Sequence, residues 1–220
     1  MAYIDLFTGI PQGQMTDTSQ VNNIAELLMK GGVIMIPIII LSIVSIYLFI
    51  ERYIYIRNTT RIDENLVKGV VNELTIKNTA NALMFTQKDQ TSLGRILESG
   101  IGQTGKPVKE VESYMESATN LEISMMEKDT GYLGIIAGVA PMLGFIGTIS
   151  GVIKIFYNIS LADNISIGII AGGLYQKMIC SGVGLIVGVI AYSAYHLLQM
   201  MIDRYTIRLQ KEVMSVLKVL

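Results

Sequence analysis

The chain has no tryptophan, one cysteine, one histidine and four prolines among its 220 residues. The lone Cys180 excludes an intrachain disulfide and says nothing of redox compartment. The lone His196, with no second cysteine, leaves no metal-ligand set, and no P-loop, GxSxG or HExxH pattern occurs. No cofactor or metal is therefore expected, and the chain does not read as an enzyme. The net charge of −1 lacks the basic excess of a nucleic-acid binder. Without Trp, any aromatic belt must use Tyr and Phe. The first residues lack a basic stretch and hold Asp5, so they read as a short extension and not as a signal peptide.

What the chain does have is apolar residues, 51% of the total, gathered into blocks. Val33 to Ile50 is uncharged, rich in Ile and closed by Glu51-Arg52. It predicts a lipid-facing first span over 31–53. Tyr132 to Ile153 has no charged side chain but carries five glycines, Pro141, Thr148 and Ser150. Each glycine in an isolated helix costs about 1 kcal/mol against alanine. In a membrane, small residues let helices approach closely, so 132–157 predicts a span packed on protein. Ile165 to Met200 repeats the habit with Gly168, Gly172, Gly173, Gly182, Gly184 and Gly188. It predicts a third span over 165–200, longer than a bilayer needs.

The remainder is charged. Residues 54–131 predict a water-exposed helical segment: Asp63 caps a run with Leu66, Val70 and Leu74, and Asn78 to Phe85 makes another helix. The four glycines between Asp89 and Gly105 predict turns. Pro107 then opens a long helix that is expected to run on into the second span. Residues 201–220 predict a charged amphipathic C-terminal helix. Val21 to Lys30 reads either as an amphipathic helix lying on the membrane or as a frayed lead-in to the first span. The connector over 158–164 holds Asp163 and no Lys or Arg. Nearly all basic residues fall in the middle segment and the tail, which the positive-inside rule places in the cytoplasm, with the N-terminus and connector outside.

Two stripes stand out by helical spacing. Pro141, Gly144, Thr148 and Gly151 share one face; Lys177, Ser181, Gly184 and Gly188 share another. A small stripe with one hydroxyl is either a packing seam or one wall of a narrow polar path, and a path would need several copies around an axis to close it. Lys177 lies deep in the third block and no span supplies an acid. It either snorkels to an interface or meets a carboxylate from another protein. Gln176 is a neighbouring polar group able to hydrogen-bond between helices, and Lys154 is expected to snorkel at the outer end of the second span.

The run APMLGFIGTISGVIKIF, Ala140 to Phe156, resembles the signature of the MotA/TolQ/ExbB family of ion-driven membrane proteins, with Pro141, Gly144, Gly147, Thr148, Gly151 and Phe156 in register. GGVIMIP at Gly31 to Pro37, Glu51-Arg52 and the block from Ile170 to His196 are similar to the ExbB branch. The resemblance implies an all-α inner-membrane subunit, a homo-pentamer surrounding a dimer of ExbD-like single-span helices that carry an aspartate. It further implies a proton- or sodium-driven motor coupled through a TonB-like protein to outer-membrane transport, with Thr148 and Ser181 lining the lumen and Lys177 placed to face a partner carboxylate. A TolQ-like or motility stator is the alternative within the family, and a non-conducting membrane scaffold the alternative outside it. The chain departs from the pattern at Gln176, where many relatives carry Glu, at Ser181 in place of Thr, and at Gly172 and Ile190 in place of Pro. Gln176 removes a titratable group and leaves the partner aspartate as the ion carrier.

Overall fold

The computed structural model describes residues 32–161 and 167–219. The Val21–Lys30 reading and residues 162–164 of the 158–164 connector lie outside the described residues, and 158–160 of that connector belong to the helix that ends at Ser160. Helix α1 is Met35–Thr59, α2 Glu64–Thr75, α3 Thr79–Lys88, α4 Ser92–Ile101, α5 Val108–Glu127, α6 Thr130–Ser160 and α7 Ile167–Leu217. No strand occurs among the described residues, and three helical stretches are long and apolar enough to cross a bilayer.

Pro37 sits in the first turn of α1, where its missing N–H has no intrahelical acceptor to lose. Glu51 and Arg52 end the apolar run but not the helix, which continues two more turns. Thr60 then closes it: its hydroxyl and its N–H both donate to the Ile56 carbonyl, at 2.7 and 2.9 Å. Asp63 caps α2 as expected, accepting from the Asn65 N–H at 2.9 Å, and Asn78 and Thr91 cap α3 and α4 in the same way.

Two apolar cores result. One lies within the spans and joins Met35 and Ile38 of α1, Ile136 and Ala140 of α6, and Cys180, Val187 and Ala191 of α7. The other holds the helical domain together. Leu66, Val70, Leu93, Ile96 and Leu97 pack there against Met115 of α5 and against Leu198, Ile202 and Leu209 of α7.

Three sequence expectations change. The glycine-rich stretch after Asp89 folds mainly as α4, not as turns. Gly94 and Gly100 are buried, and a Cβ on Gly100 would collide with the Met115 thioether. Tertiary packing, not backbone freedom, accounts for these glycines. Gly100→Ala is expected to lower stability by about 1–3 kcal/mol through overpacking, read as the unfolding midpoint of the detergent-solubilised protein. The long helix from Pro107 does not run into the second span. It stops at Glu127, and Asp129 takes a left-handed conformation, φ 64°, before α6 begins. Lastly, the third span and the charged tail are one uninterrupted helix of 51 residues. No proline or glycine interrupts it beyond Gly188, and Ile202, Tyr205, Leu209 and Val216 keep one buried face along the extension. At 1.5 Å per residue it is about 75 Å long, more than twice a hydrocarbon core.

Within the helical domain, Glu122 is buried and Arg95 closes on it with two hydrogen bonds of 2.6 Å, one from Nε and one from Nη2. The fork geometry matches a carboxylate. The bond to Glu122 raises the Arg95 guanidinium above its ordinary value, against the opposing effect of burial.

Candidate functional site: the seam between the second and third spans

α6 and α7 lie against each other along their apolar lengths, and glycine sets how closely they approach. A Cβ on Gly144 would stand 3.0 Å from the Ser181 Cα and 3.1 Å from the Cys180 carbonyl oxygen. One on Gly184 would stand 2.6 Å from the Ala140 carbonyl oxygen, and one on Gly147 2.9 Å from Cys180 Sγ. Backbone meets backbone here, which larger residues would prevent. Pro141 adds to the fit. Lacking an N–H, it leaves the Ala137 carbonyl without its usual intrahelical donor. Gly188 packs on that place, its Cβ position 3.0 Å from the Ala137 oxygen and 2.5 Å from Pro141 Cγ. Gly151 makes room for the stem of Lys177.

The order of contacts fixes which way the hydroxyls turn. Gly147 faces the first span, with Ile34 Cγ2 3.6 Å from its Cβ position. Thr148 is the next residue, so its side chain lies about 100° further round the helix. On α7, Cys180 is buried in the core shared with α1, and Ser181 follows it with the same angular step. Thr148 and Ser181 are both half-buried and belong to the edge of the seam opposite α1. The Thr148 hydroxyl donates to the Phe145 carbonyl at 2.7 Å. Having donated there, the oxygen keeps its acceptor capacity.

Lys177 takes a different direction. Its methylenes cover Gly151 and its Nζ is 3.6 Å from the Cβ position of Gly32, at the start of the first span. Among the described residues no carboxylate pairs with it. Its charge thus reaches the level where α1 begins, by the route a snorkelling lysine uses. Gln176 precedes it in α7. Lys154 is exposed near the same end of α6.

One site was not legible in the sequence. Arg52, almost fully buried, reaches from α1 to the α5–α6 break. Its Nη2 donates to Asp129 Oδ2 at 3.0 Å and its Nη1 to the Met125 carbonyl at 3.3 Å. Glu51 lies beside its Nε at 2.8 Å, and Tyr55 stacks under the guanidinium. The sequence offered only the charge pair closing the first apolar run; the partner lies 77 residues away.

Three spans, a backbone-close glycine seam with hydroxyls on its free edge, and a helical domain at one end define a multi-pass membrane protein. Known proteins sharpen this. Residues 88–211, just over half the chain, match the MotA/TolQ/ExbB proton channel family. A protein of Methanothermobacter thermautotrophicus named as a biopolymer transport protein ExbB homologue is 31% identical over 181 residues, 82% of this chain and 64% of that one. The ExbB-like 3 protein of Synechocystis is 26% identical over 164 residues, 73% and 78% of the two chains. The Tol-Pal system protein TolQ of Haemophilus influenzae is 29% identical over 89 residues, 40% and 39% of the two. The chain belongs to the MotA/TolQ/ExbB proton channel family, nearest in character to its ExbB members, and is a multi-pass inner-membrane protein.

Proposed function

We propose that the chain is the ExbB-like stator subunit of an ion-driven membrane motor. Several copies, five by the family's pattern, enclose a central shaft, with α1 outward and the free edges of the α6–α7 seams inward. Single-span ExbD-like helices carrying a carboxylate occupy the shaft. Proton or sodium flow at that carboxylate drives their movement, which a TonB-like protein relays to outer-membrane transport. The helical domain and C-terminus face the cytoplasm, in line with the concentration of Lys and Arg there.

The observation that carries this reading is the shared direction of Thr148 and Ser181, away from the first span. An outward oxygen whose proton is already held by Phe145 is an acceptor suited to a passing cation. Lys177, which leans toward the outer end of α1, is assigned charge balance at that end and not ion transfer. A Tol-linked role is the second reading, favoured by the TolQ likeness. Impaired growth on chelated iron after gene deletion marks the TonB-linked system; leakage of periplasmic contents marks the Tol-linked one.

Thr148→Val keeps shape and removes the oxygen. Coupled ion flux, in vesicles holding the complex with its partner, is expected to fall about tenfold, the worth of a hydrogen bond to a charged group near 1.5 kcal/mol. The complex should still assemble. Full flux in the variant would take Thr148 out of the ion path, and absence of flux in the wild-type complex would reduce the protein to a scaffold.

A further inference from the structure

A second feature runs along the other edge of α7, where it meets α1. At bilayer depth a groove of about 340 Å³ opens between Ser45, Ile46 and Phe49 of α1 and Ile190, Ala194 and Leu197 of α7. Its hydroxyls are already engaged: Ser45 donates to the Ser42 carbonyl, and the neighbouring Ser193 to that of Val189. The groove is therefore apolar in effect. At about 340 Å³ it has room for a methylene chain and not for a helix, which is about 10–12 Å across with its side chains.

The same α1–α7 edge continues past the apolar run into a cleft of about 180 Å³ lined by Thr60, Met201, Arg204, Tyr205 and Arg208. Leu197, Met201, Arg204 and Arg208 follow one another at helical spacing, so groove and cleft share one face of α7. Arg204 and Arg208 are exposed, and among the described residues neither has a carboxylate partner. From Leu197 to Arg204 is about 10 Å along the axis, the step from acyl chain to headgroup zone. Two guanidiniums without a carboxylate partner among the described residues, beside the bilayer boundary and directly beyond a small apolar groove, match an amphiphile with an anionic head.

We propose that this edge binds one anionic phospholipid from the leaflet next to the helical domain. Its phosphate lies between Arg204 and Arg208, and one acyl chain lies against Ile190, Ala194 and Leu197. The lipid would fill the gap between the first and third spans and tie α1 to the long helix.

The test is lipid retention by the full chain reconstituted in equimolar phosphatidylglycerol and phosphatidylcholine, then extracted in mild detergent and weighed by native mass spectrometry. Wild type should retain phosphatidylglycerol over phosphatidylcholine by about tenfold or more. Arg204→Gln with Arg208→Gln should abolish that preference; both side chains are exposed, so folding should survive. Ile190→Trp, which fills the groove and leaves the charges, should lower retention of both lipids. Equal retention by wild type, or an undiminished preference in the double variant, overturns the proposal. So does displacement of the bound phosphatidylglycerol by millimolar inorganic phosphate, which would make the cleft a site for soluble anions.

Discussion

Gly184→Leu is expected to abolish the native pairing of the second and third spans. The new Cβ alone would lie 2.6 Å from the Ala140 carbonyl oxygen and 3.2 Å from the Gly144 Cα. Those atoms are backbone, so no rotamer change relieves the clash; the helices must separate. Separation also opens the contacts at Gly144, Gly147 and Gly188. Overpacking against movable side chains costs about 1–3 kcal/mol, and against two helix backbones more, a large share of a total stability of about 5–15 kcal/mol. The measurement is yield and unfolding midpoint in detergent. Gly138→Leu is the control, since nothing within 4 Å meets a Cβ there. That variant should fold as the wild type does. Equal loss in both variants would show that the seam is not what holds the pair.

Arg52→Met is expected to destabilise the junction between the first span and the helical domain by about 2–4 kcal/mol. Breaking a buried ion pair from one side costs about 3–5 kcal/mol because it strands the other charge. The Asp129 side chain is 31% exposed, which lowers the figure. The Met125 carbonyl, in the last turn of α5, would also lose its donor. Arg52→Lys keeps the charge but cannot bond both acceptors as a planar fork, and should recover only part of the loss. Asp129→Asn is the second corner of a double-mutant cycle, because Asn also tolerates a left-handed backbone. A coupling of about 1–3 kcal/mol is expected. Additive effects would mean that Arg52 contributes through the Met125 carbonyl, Glu51 or its stem and not through Asp129.

These two variants mark the difference between what local sequence revealed and what it hid. The spans and their stripes were legible because periodicity and glycine spacing are local. Which body faces each stripe was not. Each stripe read as a seam or as a wall, and in the fold the glycines meet the opposing helix while Thr148 and Ser181 are left at the edge. The α5–α6 break was hidden for a related reason. No proline or glycine lies between Pro107 and Thr130, and the apolar spacing runs through Met125 and Met126 to Leu133. The left-handed turn at Asp129 is accompanied by the bond to Arg52 from far upstream, which no short window contains. The glycines of α4 misled in the opposite direction, since their closeness to Met115 resembles a turn signal until the tertiary partner is known.

The unbroken length of α7 has a mechanical corollary. A rod with no hinge cannot absorb rotation midway, so whatever tilts its apolar portion must swing its far end as well. The helical domain, clamped to that far end through Leu198, Ile202 and Leu209, would then act as an anchor that resists recoil if, as proposed, helices turn inside a ring of copies. An insertion of flexible residues just beyond Met200 would leave the spans in place and let the anchor drag.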